Sequence, residues 1–176
     1  MRVNKIRREI GKMYQVGDNV FYGAHGVCMI QDIQELTFSQ TPKLYYRLQS
    51  QLNKGLILYH PVETDNPKIT PIASKQRAHL ILELFKNPPN RWTLKALERA
   101  KEHQKILESN NHFEIAQMMN TILRKQRELE KEGKKLYAQD LQILKQVAPI
   151  LVEELAISLQ VTTEEVNLKI EKFLKE

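Results

Sequence analysis

The feature that most constrains this chain is an abrupt change in residue pattern near residue 70. From residue 13 to about residue 63, short runs of Val, Ile, Leu, Phe and Tyr are broken by Gly, Asn and Pro, a pattern typical of strands and tight turns. From residue 74 onward, apolar residues recur at the three- and four-residue intervals of amphipathic helices. The sequence therefore predicts an α+β protein, in which a small β domain precedes an all-α domain.

The first pattern predicts strands near residues 19–22, 27–35, 43–50 and 55–60. Four or five short strands at this spacing favour a small, strongly curved sheet or barrel over residues 13–70. Residues 1–12 carry five basic side chains and one acidic side chain, and they are predicted to form a basic flexible tail.

The second pattern predicts a helical domain over residues 74–176. The helices are expected from Ser74 to the Pro88-Pro89 pair, over about 93–108, 112–132 and 138–159, and from Thr162 onward. Pro149 lies inside the fourth predicted helix and is expected to kink or weaken it. Thr162 and Glu165 have the spacing of a capping box.

The residues that enzymatic chemistry requires form no recognisable constellation. No two of the five histidines have the spacing of metal ligands, and there is no Gly-x-Gly-x-x-Gly loop. We therefore predict a protein that is not an enzyme, without catalytic residues, metal, cofactor or small-molecule substrate. A single cysteine, Cys28, cannot form a disulfide framework, so a cytoplasmic location is expected. No apolar run approaches the roughly 20 residues that span a bilayer, so no membrane partner is expected.

Basic residues are concentrated around the only tryptophan, Trp92. The net charge is +6, and six basic side chains stand against two acidic ones between residues 86 and 105. A local concentration of this kind favours nucleic-acid binding more than the overall charge does. The alternative is that Lys101 and His103 belong to an ordinary solvated helix face.

Two segments resemble the CarD family of bacterial transcription regulators. Residues 14–27 read Tyr-Gln-Val-Gly-Asp-Asn-Val-Phe-Tyr-Gly-Ala-His-Gly-Val. They resemble the family's opening pattern of a hydrophobic residue, Val-Gly-Asp, a short apolar strand, Tyr-Pro, any residue and His-Gly, although Gly23 replaces the proline. Residues 136–144 and 150–156 resemble the family's C-terminal signature. The same opening occurs in transcription-repair coupling factor, but that protein is a far larger helicase.

The resemblance implies that the β domain is a Tudor- or SH3-like barrel that binds the β subunit of RNA polymerase, partly by joining sheet edges. It implies that the helical domain contacts promoter DNA at the upstream edge of the transcription bubble, largely without reading sequence. There, a tryptophan wedges into the minor groove and basic side chains hold phosphates. The expected function is modulation of open-complex stability.

The family's Trp-x-x-Arg-Tyr-Lys motif falls on residues 96–101, where Arg99 and Lys101 match but the tryptophan position is Ala96. Trp92 precedes Ala96 by four residues, and on a helix the two would share one face. Trp92 is therefore expected either to act as a displaced wedge or to pack as a core anchor over the Pro88-Pro89 turn.

The helical domain also departs from the family at Leu141-Gln142, where two basic residues are usual. Lys134 and Lys135 either compensate for them or only add solubility. The DNA-binding residues implied by the resemblance are Trp92, Lys95, Arg99, Lys101, Lys125, Lys134 and Lys135.

In the β domain, Leu36 and Tyr59 align with positions where relatives often place polymerase-contacting arginines. The implied polymerase-binding residues are Leu36, Tyr46, Leu58 and Tyr59. Two alternatives remain open at this point. The helical domain could dock another protein instead of DNA, or the chain could be a general RNA-binding module that stacks aromatic side chains on single strands.

Overall fold

A computed structural model describes residues 14–38, 41–64 and 68–175. The chain divides into two compact units between Ile72 and Ala73. The predicted basic tail at residues 1–12 lies outside the described residues. The division falls where the residue pattern changes from strand-like to helix-like, which is consistent with one hydrophobic core on each side.

The first unit is a five-stranded antiparallel sheet with the strand order β4-β3-β2-β1-β5. Its strands are β1 (Asn19–Phe21), β2 (Val27–Leu36), β3 (Lys43–Ser50), β4 (Ile57–Pro61) and β5 (Thr70–Pro71). All four predicted strands are present, and β5 is an addition. In the described residues β4 and β5 form opposite edges of the sheet, so the sheet is open and is not a closed barrel.

One face of this sheet carries the core of the unit. The buried cluster consists of Val20, Cys28, Ile30, Tyr46, Leu48 and Ile69. In β3 the buried residues Tyr46 and Leu48 alternate with less buried ones, as the two-residue period of a strand requires. Cys28 is fully buried. Gly26, before β2, has φ 68° and ψ −147°, close to a conformation essentially restricted to glycine.

The second unit contains five helices, as the sequence predicts. They are α1 (Lys75–Glu83), α2 (Ala96–Ser109), α3 (His112–Lys131), α4 (Ala138–Leu159) and α5 (Thr163–Phe173), and a 3-10 turn (Leu84–Lys86) follows α1. Pro149 lies within α4 and does not end it. Within the described part of the chain, no helix combines the length and the apolar character that crossing a membrane would require.

The helices enclose a second core that includes Ile81, Phe85, Ile122, Leu155 and Val166, all fully buried. One charged residue, Glu154 of α4, also lies there with no exposure. Its Oε1 accepts a hydrogen bond of 2.9 Å from the backbone N–H of Ala73, and Nδ1 of His112 lies 2.9 Å from its Oε2. Partners of this kind offset the cost of burying a carboxylate, and they fix the first residue of the unit against α4.

The capping box at the start of α5 is present as the sequence predicts. Thr162 accepts from the N–H of Glu165, whose carboxylate in turn accepts from the N–H of Thr162 at 2.7 Å.

We predict that Thr162→Ala lowers the free energy of unfolding by about 1 kcal/mol, because the helix loses its capping oxygen. Urea unfolding followed by Trp92 fluorescence measures the loss. Thr163→Ala, the matched control at the next exposed position, should leave stability nearly unchanged, and an equal loss there would contradict the prediction.

Candidate nucleic-acid interface

The loop before α2, residues 87–95, is held in place by two polar side chains of α3. The amide of the fully buried Asn120 donates to the carbonyls of Asn87 at 3.0 Å and Leu84 at 3.3 Å. Oγ1 of Thr121 accepts from the backbone N–H of Asn90 at 3.0 Å. Because these side chains bond backbone groups rather than solvent, they fix the path of the loop that carries Trp92.

Arg99 lies at the centre of the region and is only 2% exposed. Its Nε donates to Oδ1 of Asp140 at 2.9 Å, and its Nη2 donates to Oδ2 of the same carboxylate at 2.6 Å. Nη1 donates to the carbonyl of Thr93 at 2.7 Å. A two-pronged Arg–carboxylate pair is directional as well as strong, so it fixes the start of α2 against the start of α4.

Two aromatic rings contact the same guanidinium. Cζ of Arg99 lies 4.3 Å from the ring centre of Trp92 and 5.3 Å from that of Tyr137. Trp92 is partly buried and packs against the helical core, whereas Tyr137 is 57% exposed. Trp92, Arg99, Tyr137 and Asp140 are called the aromatic–arginine cluster below. Cation–π contacts of this kind orient the rings as well as stabilising them.

His103 of α2 also lies beside this ion pair. It is buried, contrary to the interpretation as part of a solvated face, and its Nδ1 is 3.7 Å from Oδ1 of Asp140. Burial lowers the pKa of His103, the carboxylate of Asp140 acts in the opposite direction, and the charge of Arg99 lowers the pKa further. His103 is therefore favoured in its neutral form next to a pair of compensating charges.

The structure brings some of the sequence-predicted DNA-binding residues together and separates others. Nζ of Lys125 lies 6.0 Å from the ring centre of Trp92, so Lys125, Trp92 and Arg99 form one group. The sequence predicts that Arg99 contacts phosphate. In the structure its guanidinium is instead buried and hydrogen-bonded within the protein. Trp92 does not share a helix face with Ala96, because α2 begins only at Ala96.

The remaining predicted lysines are exposed. Lys95 pairs with Glu98 at 2.9 Å and Lys134 pairs with Glu132 at 2.8 Å, and Lys125 also has an acidic partner, Glu128. Hydrogen bonding to Glu132 raises the pKa of Lys134. Among the described residues, Lys101 and Lys135 form no such ion pair and present their charge to solvent.

Sequence reasoning missed two members of the cluster. Tyr137 and Asp140 lie in the segment that resembles the family's C-terminal signature, but the sequence predicts no role for either residue. The available signal was the chemistry of Asp140, since an acid in a segment that also carries Leu136, Leu141 and Leu144 needs a cationic partner when it is buried.

A second candidate surface lies on the sheet unit, at the edge strand β4. The ring of Phe38 lies 5.0 Å from that of Tyr45 and 5.7 Å from that of Tyr59. Phe38 is 64% and Tyr59 is 41% exposed. The three rings, called the aromatic patch below, therefore form an exposed apolar surface next to a strand that has a neighbour on only one side in the described sheet.

The predicted polymerase-binding residues divide between this surface and the core. Tyr59 belongs to the aromatic patch, and Leu36 and Leu58 are half-buried. Tyr46, in contrast, is buried on the core face, where its hydroxyl accepts from the N–H of Tyr14 at 3.2 Å. Tyr46 thus points away from the face that carries Tyr45 and Tyr59. The sequence predicts no polymerase contact for Phe38 or Tyr45.

Comparison with known proteins gives consistent matches over both units. A family model described as "CarD-like/TRCF RID domain" matches residues 14–73, and one described as "CarD, C-terminal domain" matches residues 80–171. The chain is also similar to the "Putative transcription factor YdeB" of Bacillus subtilis (strain 168). The two are 21% identical over 155 residues, which cover 88% of this chain and 98% of that protein.

We predict that Asp140→Asn destabilises the helical unit by roughly 3–5 kcal/mol, because it leaves the buried guanidinium of Arg99 without its compensating charge. Urea unfolding followed by Trp92 fluorescence measures this loss. Glu98→Gln, which removes an acid from an exposed ion pair with Lys95, should cost at most about 1 kcal/mol. Similar effects from the two substitutions would show that the buried pair has no special structural weight.

Proposed function

The chain belongs to the CarD family, and we propose that it is a regulator rather than an enzyme, which binds RNA polymerase through the sheet unit and promoter DNA through the helical unit. The observation that carries the proposal is the aromatic–arginine cluster, whose residues are flanked along the chain by the exposed lysines Lys95, Lys101 and Lys135. Aromatic rings for distorted base steps and cations for phosphates are what a protein needs to bind partly melted DNA without reading its sequence.

The polymerase contact is assigned to the β subunit and to the edge of the sheet. The backbone of β4 offers hydrogen-bonding groups on its outer side, and an extended segment of a partner can pair with them. Tyr59 on β4 and the neighbouring Phe38 and Tyr45 supply the apolar part of the interface. Aromatic residues are enriched in such interfaces because they bury a large area with few rotatable bonds.

The DNA contact is assigned to the upstream edge of the transcription bubble. The phosphate contacts are assigned to three exposed lysines, Lys95, Lys101 and Lys135. Because such contacts displace counterions, binding is expected to be sensitive to salt. Arg99 acts as a positioning residue, because reaching a phosphate would require its pair with Asp140 to open. Stabilisation of melted DNA by these contacts would alter the lifetime of the open complex.

A second candidate function is docking of another protein by the helical unit. It is favoured by two leucines close to the cluster, Leu94 and Leu97, which are 85% and 68% exposed. Three predicted DNA-binding lysines also have acidic partners, which reduces the positive potential of the surface. If this candidate is correct, changes to the exposed lysines will leave DNA binding and the open complex unaffected.

We predict that the double substitution Phe38→Ala and Tyr59→Ala weakens binding to the cognate RNA polymerase by at least about tenfold, since aromatic anchors contribute disproportionately to interfaces. Titration of the full chain against the purified polymerase measures the affinity. Val16→Ala is the matched control, because Val16 is an exposed apolar residue of the same unit outside the aromatic patch. Undiminished affinity of the double variant would remove the patch from the polymerase contact.

We predict that Lys101→Glu combined with Lys135→Glu shortens the lifetime of the open promoter complex, because both ammonium groups are assigned to phosphates. The slope of binding against salt should fall by about one for each phosphate that the variant no longer neutralises. Competitor challenge of the polymerase–promoter complex at several salt concentrations gives both quantities. Lys169→Glu, at an exposed position of α5, tests for a general effect of charge. Normal polymerase binding with an unchanged lifetime and slope would favour the protein-docking candidate.

A further inference from the structure

We propose that Tyr137 is the residue that stacks on an unpaired base at the edge of the melted DNA, with Trp92 as the support beneath the cluster. The proposal rests on DNA binding by the helical unit and deepens it, because it assigns the stacking contact to a different side chain. It concerns a position where the sequence indicated no functional residue.

The first observation is the difference in accessibility between the two rings. Trp92 packs against the helical core and is covered by the guanidinium of Arg99, with Lys125 near its ring. Tyr137 contacts the same guanidinium but remains 57% exposed. A ring can stack on a base only if one of its faces is accessible, and Tyr137 meets this condition better than Trp92.

The second observation is the position of Tyr137 on its helix. Tyr137 is the N-cap residue of α4 and makes no side-chain capping hydrogen bond. Ser74, Asn111 and Thr162, the N-cap residues of α1, α3 and α5, all make one. Tyrosine is a poor choice where a short oxygen-bearing side chain stabilises the helix. Lys95, the N-cap residue of α2, also makes no capping bond, so the two helices that lack one are those joined near their first turns by the Arg99–Asp140 pair. Local rules tend to be broken at functional sites.

The third observation is that the ring is held before any ligand binds. Asp140 lies three residues after Tyr137 on α4 and binds Arg99, whose Cζ lies 5.3 Å from the Tyr137 ring centre. The ion pair thus fixes both the helix that carries the tyrosine and the cation against which the ring rests. A side chain held in this way loses less conformational freedom on binding, which favours affinity.

The fourth observation is the charge next to the ring. Lys134 and Lys135 precede Tyr137 by three and two residues and are both exposed. Lys135 forms no ion pair with any described residue, so its ammonium is available to a phosphate. A cation for the backbone and a ring for a base are the two components of single-strand contacts in proteins. A fully paired duplex offers its phosphates but no free base face.

The test compares the full chain with Tyr137→Ser on two DNAs of one sequence, a fully paired duplex and a fork with unpaired bases. The fork carries 2-aminopurine at its first unpaired position, so stacking on the base changes its fluorescence. We expect the wild type to prefer the fork by roughly tenfold and to quench 2-aminopurine. Tyr137→Ser should lose both the preference and the quenching while binding the duplex as the wild type does.

Tyr137→Ser is suited to this test because serine is a preferred N-cap residue, so its midpoint of thermal unfolding should equal or exceed that of the wild type. Tyr137→Phe is the matched control, which keeps the ring and should keep the fork preference. If the wild type prefers the fork and Tyr137→Ser does so equally, the stacking assignment is wrong while DNA binding stands. If the wild type binds neither DNA, alone or with RNA polymerase, the assignment fails together with the proposed DNA contact.

Discussion

The surface of the helical unit depends on the buried ion pair between Arg99, at the start of α2, and Asp140, at the start of α4. Burying two charges carries a desolvation cost that their attraction does not fully offset, so an apolar pair could serve stability equally well. An apolar pair, however, makes no directional hydrogen bonds and would not fix the orientation of the side chains around it. The guanidinium is fixed by Asp140 and by the carbonyl of Thr93, and it contacts two aromatic rings. The pair thus sets the surface that the unit presents.

This constraint explains why α2 begins at Ala96, when the sequence pattern favours a start near residue 93. Nη1 of Arg99 donates hydrogen bonds to the carbonyls of Thr93 and Leu94, and the backbone of Lys95 is extended with ψ 113°. The preceding segment is held by Asn120 and Thr121. Because hydrogen bonds hold both ends of this loop, its residues do not extend α2 toward the N-terminus. Trp92 is consequently a loop residue that packs against the helical core.

Much of the fold could be predicted from the sequence, because strand alternation and helical periodicity are local signals. These signals predict strands β1–β4 and all five helices. They do not predict β5, because it has only two residues and its pairing partner, β1, is distant along the chain. The sites were harder to predict. The burial of Tyr46 follows from its register with Leu48, but the burial of Arg99 depends on an acid 41 residues away. No local pattern distinguishes such an arginine from one that contacts phosphate.

In the proposed function the protein contacts DNA without reading its sequence, so its selectivity would come from the presence of both units in one chain. A polymerase interface on the sheet unit would raise the effective concentration of the helical unit near the DNA that the same polymerase holds, so the DNA contact itself could be weak. Weak contacts suffice if they distinguish melted from paired DNA. The exposed lysines would bind both forms, whereas an exposed ring held against a fixed cation would have a partner only in the melted form. Under this proposal the burial of Arg99 serves the function, because the cation orients the ring of Tyr137 while the exposed lysines bind phosphate.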